Sequence, residues 1–286
     1  MLEHSTFYIR DFYMIFVKRK IALKKTLLLP LILFSIFTHA QSVRKYSNEF
    51  MNIGVDAAAL GMSNAVTAST GDVNSGYWNP AGLFRIEDSE AALMHASYFA
   101  NIAQYDYAAY AKKIDDRSAW GISLIRFGVD DILNTTQLID NQGNIDYNRI
   151  SLFSTADYAL TFSYARKSQL KEITYGVNAK VIRRIIGEFA NSWGFGIDAG
   201  LQYQKDDWQF GVMVRDITTT YNVWAIDEDK FNEIKDAVEG QNQELPEDTE
   251  ITLPKAQLGI AKKFEFHYDY TLLAAVNLNM QFARTN

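Results

Sequence analysis

Alternating side chains dominate the chain from residue 90 onward, and this pattern constrains the fold more than any other feature. In a strand, successive side chains point to opposite faces. In 193–203 the odd positions form an unbroken aromatic and aliphatic face, while the even positions are Gly, Asp and Gln. The segment 173–180 shows the same contrast, and in 104–113 Tyr105, Tyr107 and Ala109 share one face. An apolar face opposite small and polar residues is typical of a strand between lipid and a polar lumen.

Nine such segments follow one another, each long enough for a tilted strand to cross a bilayer. They are predicted at 90–100, 104–113, 118–128, 157–167, 173–184, 193–204, 207–216, 253–264 and 268–280. Aromatic residues near the strand ends are expected to form interfacial belts: Tyr98, Phe99, Tyr105, Trp193, Tyr203, Trp208, Phe264 and Tyr268. The predicted fold class is all-β, a transmembrane antiparallel β-barrel.

The predicted connections differ in length between the two ends of the barrel. Short turns are predicted at 114–117, 168–172, 205–206 and 265–267, and long loops at 129–156 and 217–252. Short periplasmic turns opposite long extracellular loops are typical of outer-membrane barrels. The alternative, a soluble β-sandwich, offers no reason for this sorting.

Nine is an odd number of strands for a bacterial barrel. An open barrel would leave unpaired strand edges in lipid. We therefore expect either that the barrel predicted at 89–286 lacks several C-terminal strands or that the count of nine is wrong.

The first forty residues have the pattern of a secretory signal peptide. Basic residues at 18–20 and 24–25 precede an apolar run at 27–37, and Ala40 ends a small-residue cleavage site. Residues 1–13 are interpreted as a start-site artefact, with Met14 as the true start. An inner-membrane anchor is the alternative, but the apolar run is short for one. We predict export, cleavage near Ala40 and location in the outer membrane of a Gram-negative bacterium.

Composition excludes several classes of function. Removing 1–40 leaves 22 Lys and Arg against 32 Asp and Glu, a net charge of −10, which argues against nucleic acid as a partner. The chain has no Cys, so it has no disulfide and no Cys-based metal or redox site. No hydrolase or zinc-protease motif accompanies His95 or His267, and we interpret His95 as a lumen or hatch contact. We predict no catalytic residue, no cofactor and no metal.

Residues 41–88 have a different character and are predicted to form a separate N-terminal segment, either periplasmic or a hatch of the kind that the family resemblance described below implies. The segment is rich in Gly, Ala, Ser and Asn, with a short helix expected at 56–62. It ends in a rigid turn. Pro80 fixes its own φ and biases Asn79 toward extended geometry, and Gly82 can adopt a positive φ. The motif Trp78, Asn79, Pro80, Ala81 and Gly82 is either a hinge or plug anchor, or a structural turn into the first strand.

Four stretches of the N-terminal region resemble the PorV/PorQ family of Bacteroidetes, which is similar in architecture to the FadL-type fatty-acid channels. They are 50–55, 59–62, 72–73 and 77–83, with 250–254 as a downstream echo. The resemblance implies a barrel of about fourteen strands with a hatch in its lumen. It also implies a link to type IX protein secretion or surface cargo handling, with secretion components or cargo proteins as partners besides outer-membrane lipid. The FadL likeness implies instead the uptake of a hydrophobic small ligand such as a long-chain fatty acid.

Charged residues on or near strand ends are candidate luminal groups. Inward bases are expected to pair with hatch acids, or to bind a fatty-acid carboxylate. The candidates are Asp56, Asp72, Arg126, Arg183, Asp198 and Arg215, together with Arg166 and Lys180. An apolar pocket above the hatch with one inward base would favour uptake, and its absence would favour protein handling.

Two further features complete the sequence expectations. Gly194, Gly196 and Gly200 are expected to clear space for the hatch. Between 227 and 250 there are ten acidic residues against two Lys, with a helix predicted at 230–239. This segment is either a docking site for a basic partner or a divalent cation, or a solvated loop that caps the barrel rim.

Overall fold

The computed structural model describes residues 47–139, 142–170, 172–237, 249–266 and 270–282. The predicted signal peptide with its cleavage near Ala40, and the residues His267 and Tyr268, lie outside the described residues. Across the described ranges, every helix is too short or too polar to span a membrane.

Within the described ranges, eleven strands form one antiparallel sheet. They are β1 (Ser89–Tyr98), β2 (Ala103–Asp115), β3 (Ser118–Asn134), β4 (Ser151–Lys167), β5 (Ile173–Ile186), β6 (Ala190–Lys205), β7 (Trp208–Arg215), β8 (Thr220–Ile226), β9 (Thr249–Thr252), β10 (Lys255–Phe266) and β11 (Tyr270–Gln281). The order is β1-β2-β3-β4-β5-β6-β7-β10-β11, and β8 pairs with both β6 and β9.

The eleven strands follow nine paths, where a path is one position across the sheet. Two of these paths are each interrupted and so consist of two consecutive strands. The strands β7 and β8 pair with successive halves of β6, and β9 and β10 continue the neighbouring path along β8 and β7. Left-handed backbone at Asp216 and Thr219 breaks the first path. The second breaks at Pro254, which lacks the N–H that a ladder needs. The nine predicted segments therefore match the nine paths. The predicted loop 217–252 was wrong where it contains the strands β8 and β9.

The hairpin of β3 and β4 is also longer than predicted, since the long loop was expected at 129–156. Both strands continue past a register shift between Val129 and Ile132. Asp131 adopts a left-handed conformation at this irregularity, and such bulges hide the alternating pattern from the sequence. In the described residues no pairing joins β1 to β11, so the sheet is open.

The acidic segment begins with a helix, α3 (Glu228–Ala237), two residues earlier than predicted. Asp227 starts it by accepting a hydrogen bond from the Lys230 backbone N–H (3.1 Å). Residues 238–248, the rest of the acidic segment, lie outside the described residues.

The hatch, residues 47–88, contains only short helices. They are a 3-10 turn at Glu49–Asn52, α1 (Ala57–Gly61), α2 (Ser75–Trp78) and a 3-10 helix at Pro80–Arg85. The predicted helix at 56–62 is thus present as α1. The 3-10 helix at Pro80–Arg85 packs on β3, β4, β5 and β6, so the hatch lies on the inner face of the sheet.

Burial alternates along the strands and shows which side chains face the hatch. On β5 and β6 most small and polar positions are buried and most aromatic and aliphatic ones are exposed, as predicted, although Ile182 of β5 is fully buried. On β2 the orientation is reversed: Tyr105 and Tyr107 are buried against the hatch, and Asp106 lies on the outer face. Tyr105 is therefore not part of an interfacial belt. The outer face of β2 is not apolar over a long stretch, and the packing of the hatch decided that the Tyr105 side chain points inward.

Candidate functional site: the hatch and its two walls

The hatch packs against two unlike surfaces of the sheet. The apolar wall is the inner face of β1 to β4, and the polar wall is the inner face of β5 to β8 and β10. The hydrophobic core lies almost wholly between the hatch and the apolar wall. Its strand members, apart from Ile182 of β5, are Tyr105, Tyr107, Ala109, Ala111, Ala119, Ile125, Ala159 and Ala165.

On the hatch side of this core, large side chains are turned toward the apolar wall. Leu83 and Val55 are fully buried, and Trp78 is almost so. The Trp78 indole N–H donates to the Val55 carbonyl (3.1 Å), which folds the hatch onto itself. Trp78 of the predicted turn motif is therefore a core residue of the hatch.

The polar wall holds the hatch through Asn79. This side chain is fully buried, and its amide nitrogen donates to the carbonyls of Thr67 in the hatch (2.9 Å), Leu201 in β6 (3.2 Å) and Val212 in β7 (3.4 Å). Its amide oxygen accepts from the Ala81 N–H (3.2 Å) and caps the helix that Pro80 starts. One side chain thus joins two hatch segments and two strands.

Glycines let the hatch backbone lie directly on the polar wall. A Cβ on Gly176 of β5 would come within 2.5 Å of the Pro80 backbone, and one on Gly211 of β7 within 2.3 Å of the Thr67 carbonyl. Gly200 leaves room for Asn79. The sequence prediction was right for Gly200. Gly194 and Gly196 instead make room for wall side chains, those of Asn222, Thr220 and Lys180.

Gly82 has a different role from the one predicted. It is not among the described residues with a positive φ. A Cβ there would meet the Thr70 carbonyl at 2.4 Å and the Ser75 hydroxyl at 2.6 Å. Gly82 is required because of close packing inside the hatch, a tertiary constraint that the local sequence does not reveal.

A buried ion cluster lies behind the hatch on the polar wall. Lys180 Nζ contacts Asp198 Oδ1 (2.7 Å) and Asp216 Oδ1 (2.6 Å), and all three residues are buried. Thr220 donates to Asp216, and the Asp216 N–H donates to Asp198 (2.9 Å). The cluster therefore ties β5 and β6 to the break between β7 and β8.

Arg215 and Asn178 connect this cluster to the hatch. Arg215 donates to the carbonyls of Tyr77 (2.8 Å) and Met51 (3.3 Å) and lies 4.7 Å over the Tyr77 ring. Asn178 donates to the Gly76 carbonyl (2.8 Å) and to Asp198 (3.4 Å). Of the predicted luminal charges, Asp198 and Arg215 do face the hatch. Their partners are backbone carbonyls and wall residues, not the hatch acids.

The pKa values of two hatch groups reflect this enclosure. Burial raises the pKa of the Tyr77 phenol, against the opposing effect of Arg215. Burial lowers the pKa of the Arg85 guanidinium, which donates to the Ser69 carbonyl (3.2 Å) and to Gln202 (3.0 Å). Both groups bind the hatch through hydrogen bonds in a water-poor environment.

Asp56 and Asp72 serve their own segment, whereas the hatch acid Glu49 pairs with Lys255 of β10 (3.2 Å). Asp56 accepts from the N–H groups of Ala58 (3.2 Å) and Ala59 (3.3 Å) and caps α1. Asp72 accepts from Asn74 through its backbone (2.9 Å) and side chain (3.3 Å). The expected pairing of Asp56 and Asp72 with wall bases is wrong, because local N–H groups satisfy these carboxylates.

Arg126, Arg183 and His95 do not face the lumen. Arg126 pairs with Asp130 (2.9 Å) on the outer face, and His95 pairs with Asp106 (2.7 Å) beside it. Arg183 stacks on the exposed Trp193 ring at 4.7 Å. Each of these side chains occupies an outward-facing position of its strand, and the position one residue away faces inward.

Sequence reasoning missed a polar group above the hatch. Arg184, next to the predicted Arg183, binds Asp157 (3.0 Å) and Glu250 (3.0 Å), and Glu250 accepts from Ser47 at the start of the hatch (3.0 Å). Asn222 donates to the same Ser47 hydroxyl (2.6 Å). Alternate residues of β5 face inward, and Arg184 is on the same face as the inward Lys180. This alternation was the signal that would have selected Arg184.

In the described part of the chain, no three His, Asp or Glu side chains lie together in a way that could hold a metal ion. The buried carboxylates Asp198 and Asp216 both pair with Lys180.

Comparison with known proteins identifies the architecture. A search of curated proteins found no match. The family model described as "Type IX secretion system protein PorV" matches residues 38–279, which covers the hatch and nearly all of the sheet. PorV proteins are outer-membrane β-barrels of the type IX secretion system, in agreement with the all-β fold and its luminal hatch. The chain belongs to the PorV family.

Proposed function

We propose that this protein is a plugged outer-membrane barrel that handles protein substrates of type IX secretion at the cell surface, without catalysis. The family supplies the association with type IX secretion. The proposal adds that the hatch is a fixed part of the barrel and that work is done on proteins outside the lumen. Export through a signal peptide cleaved near Ala40 belongs to the same proposal.

The observation that carries the proposal is the Asn79 junction. Its single amide donates to the hatch and to two strands, and it is fully buried. Arg215, Asn178 and Gln202 each donate further hydrogen bonds to hatch carbonyls. Moving the hatch while these groups stay buried would leave them without partners, at about 1–3 kcal/mol for each group. A plug held in this way does not open for the passage of a small molecule.

Uptake of long-chain fatty acids, in the FadL manner, is the second candidate function. It calls for an apolar binding surface above the hatch, since such pockets are lined mainly by hydrophobic side chains. The described wall above the hatch presents mainly polar inward residues, Asp157, Arg184, Asn222, Glu250 and Thr252, together with Trp224 and Ile226 on the inward positions of β8. The inward base Arg184 lies 5.0 Å over the Trp224 ring and is already held by two carboxylates. This arrangement favours protein handling over uptake.

A disulfide that locks the hatch tests the proposal, and the chain offers a Cys-free background. The built Cβ of Gly76 in the hatch lies 3.6 Å from Ser163 Cβ of β4, which suits a disulfide. We expect the oxidised Gly76→Cys/Ser163→Cys protein to restore surface display of cargo in a deletion strain as fully as the wild-type protein does. The deletion should leave the uptake of a fluorescent long-chain fatty acid unchanged.

The matched control is Ala111→Cys/Gly121→Cys, whose Cβ atoms are 3.4 Å apart across β2 and β3. This bond joins wall to wall and leaves the hatch free. A loss of cargo display in the hatch-locked variant but not in the control, reversed by reductant, would show that the hatch moves. Reduced fatty-acid uptake in the deletion strain would support the FadL-type function.

A further inference from the structure

A small cavity opens at the end of the sheet that carries the short turns, which is the periplasmic end of an outer-membrane barrel. It lies where the last residues of the hatch meet the inward positions of β4, β5 and β6. We name it the floor cavity. Its volume is about 180 Å³, and its lining includes Phe84, Arg85, Lys167, Glu172, Gln202 and Gln204.

Arg85 enters the floor cavity as a half-buried cation without an acidic partner. Its guanidinium donates only to neutral acceptors, the carbonyls of Ser69 (3.2 Å) and Ala68 (3.4 Å) and the side chain of Gln202 (3.0 Å). A guanidinium has five N–H donors, so two of them remain without a partner in the described residues. Burial lowers the pKa of this group, and no described carboxylate offsets that effect.

Lys167 supplies a second cation from the opposite side of the cavity. It lies on the same face of β4 as the buried residues Ser163 and Ala165, so its side chain points inward. Its ammonium lies 5.5 Å from the centre of the Phe84 ring, and no carboxylate of the described residues is paired with it. A cation over a ring keeps its N–H donors free for an anion.

The charges of the floor cavity favour an anion that carries a single negative charge. Arg85 and Lys167 face one carboxylate, Glu172, which is exposed at the mouth of the cavity. Two cations attract an anionic group, whereas the carboxylate at the mouth repels a dianion such as phosphate more strongly than a monoanion. A carboxylate is the anion that matches this balance.

The size of the floor cavity indicates what carries this carboxylate. Sites for whole small molecules usually have volumes of about 300–1,000 Å³. At about 180 Å³ the floor cavity accepts only a small group, which is then one end or one side chain of a larger molecule. The Phe84 ring offers an apolar surface for methylene groups, and the exposed Gln204 amide can pair with a peptide group. These features suit a polypeptide.

We propose that the floor cavity binds a carboxylate of a periplasmic polypeptide, an Asp or Glu side chain or a C-terminus, between Arg85 and Lys167. The proposed function concerns the cell surface, so this inference goes beyond it and assigns a partner to the opposite end of the barrel. Because Arg85 belongs to the hatch and Lys167 to β4, the bound carboxylate also holds the hatch to its wall from below.

Saturation-transfer NMR on the full-length protein in deuterated detergent tests the proposal with defined probes. The acidic probes are N-acetyl-glutamate amide, which carries a side-chain carboxylate, and N-acetyl-alanine, which carries a terminal one. The neutral control is N-acetyl-glutamine amide. We expect both acids to bind and the control to bind at least about tenfold more weakly, as the loss of a charge-assisted hydrogen bond predicts. Tighter binding of one acid identifies the side chain or the C-terminus as the natural source.

Charge reversal at Lys167 makes the test specific. Lys167→Glu should weaken the binding of both acids at least about tenfold, and Lys167→Arg, which keeps the cation, should bind them as the wild-type protein does. Arg166→Glu is the matched control, since Arg166 is the adjacent residue and lies exposed on the outer face of β4. Faster migration of the unboiled protein on gels verifies folding, and Lys167→Gln takes the place of Lys167→Glu if that variant does not fold.

Five results would overturn the proposal. They are no saturation transfer to either acid, equal binding of the glutamate and glutamine probes, an equal loss of binding in Arg166→Glu, displacement of the acids by inorganic phosphate at a lower concentration than by the acids themselves, and tighter binding of a muramyl tripeptide. The phosphate result would assign the cavity to an inorganic anion, and the muramyl result would assign it to the cell wall.

Discussion

The apolar and polar walls hold the same hatch by different physics. Against the apolar wall the hatch packs mainly by hydrophobic burial, which tolerates changes of similar volume, with a hydrogen bond from the Val73 N–H to Glu90 of β1 (2.9 Å). Against the polar wall, Asn79 and Arg215 donate directed hydrogen bonds to backbone carbonyls. Glycines on this wall let the hatch backbone lie directly on the strands. The difference teaches that one wall supplies much of the attraction while the other sets the position of the hatch.

The largest expected effect comes from Lys180 on the polar wall. Lys180→Met leaves Asp198 and Asp216 buried without their shared cation, so the free energy of unfolding should fall by about 3–5 kcal/mol. Urea titration of the detergent-folded barrel, followed by tryptophan fluorescence, measures this. Arg183→Met, on the outer face of the same strand, is the control and should change little. Stability equal to wild type in Lys180→Met would show that the cluster contributes nothing; adding Asp198→Asn/Asp216→Asn should restore much of the loss.

Asn79 and Leu83 allow the two walls to be compared at neighbouring positions. Asn79→Asp keeps the shape but turns the donor amide into an acceptor that faces three carbonyls, and it should cost about 3 kcal/mol. Leu83→Met on the apolar side should cost less than about 1.5 kcal/mol. The same unfolding titration measures both. Similar losses in the two variants would remove the distinction between the walls.

Glycine replacement separates the walls by steric clearance. Gly176→Ala places a Cβ 2.5 Å from the Pro80 backbone and should destabilise the barrel by about 1–3 kcal/mol. Gly121→Ala on the apolar side meets Leu83 and Ala111 at an ordinary 3.4 Å, and it should be neutral or stabilising by up to about 1 kcal/mol. The temperature at which the fast-migrating gel form is lost reports both. Equal tolerance of the two would mean that the hatch is not seated on Gly176.

The smallest effect concerns the hatch alone. Asp56→Ala removes the cap of α1 and should cost about 1 kcal/mol, while Asp56→Asn keeps an oxygen acceptor and should cost less. Melting of the unboiled gel form distinguishes them. If the uncharged Asp56→Asn lost as much as Asp56→Ala, the carboxylate charge would matter, contrary to its contacts with backbone N–H groups.

Much of the fold could be predicted from local pattern, and the candidate site could be predicted only in part. The nine strand paths followed from alternation, the separate N-terminal segment followed from its composition and the turn at Pro80, and its role as a hatch followed from the family resemblance. Strands β8 and β9 were missed because the left-handed residues Asp216 and Thr219 and the imide of Pro254 interrupt the period. Arg183 was chosen over Arg184 because sequence shows that two faces exist but not which one is inside.

The sequence by itself determined the alternating strands, the luminal hatch and the family, since these depend on residue order over short stretches. Only the tertiary structure decided that Tyr105 and Tyr107 face inward, that Asp56 and Asp72 cap their own segment, and that Arg126 and His95 lie on the outer face. The physical reason is that burial and pairing depend on neighbours distant in the chain. Asn79 meets Leu201 and Val212, more than 120 residues away, and no local pattern encodes that contact.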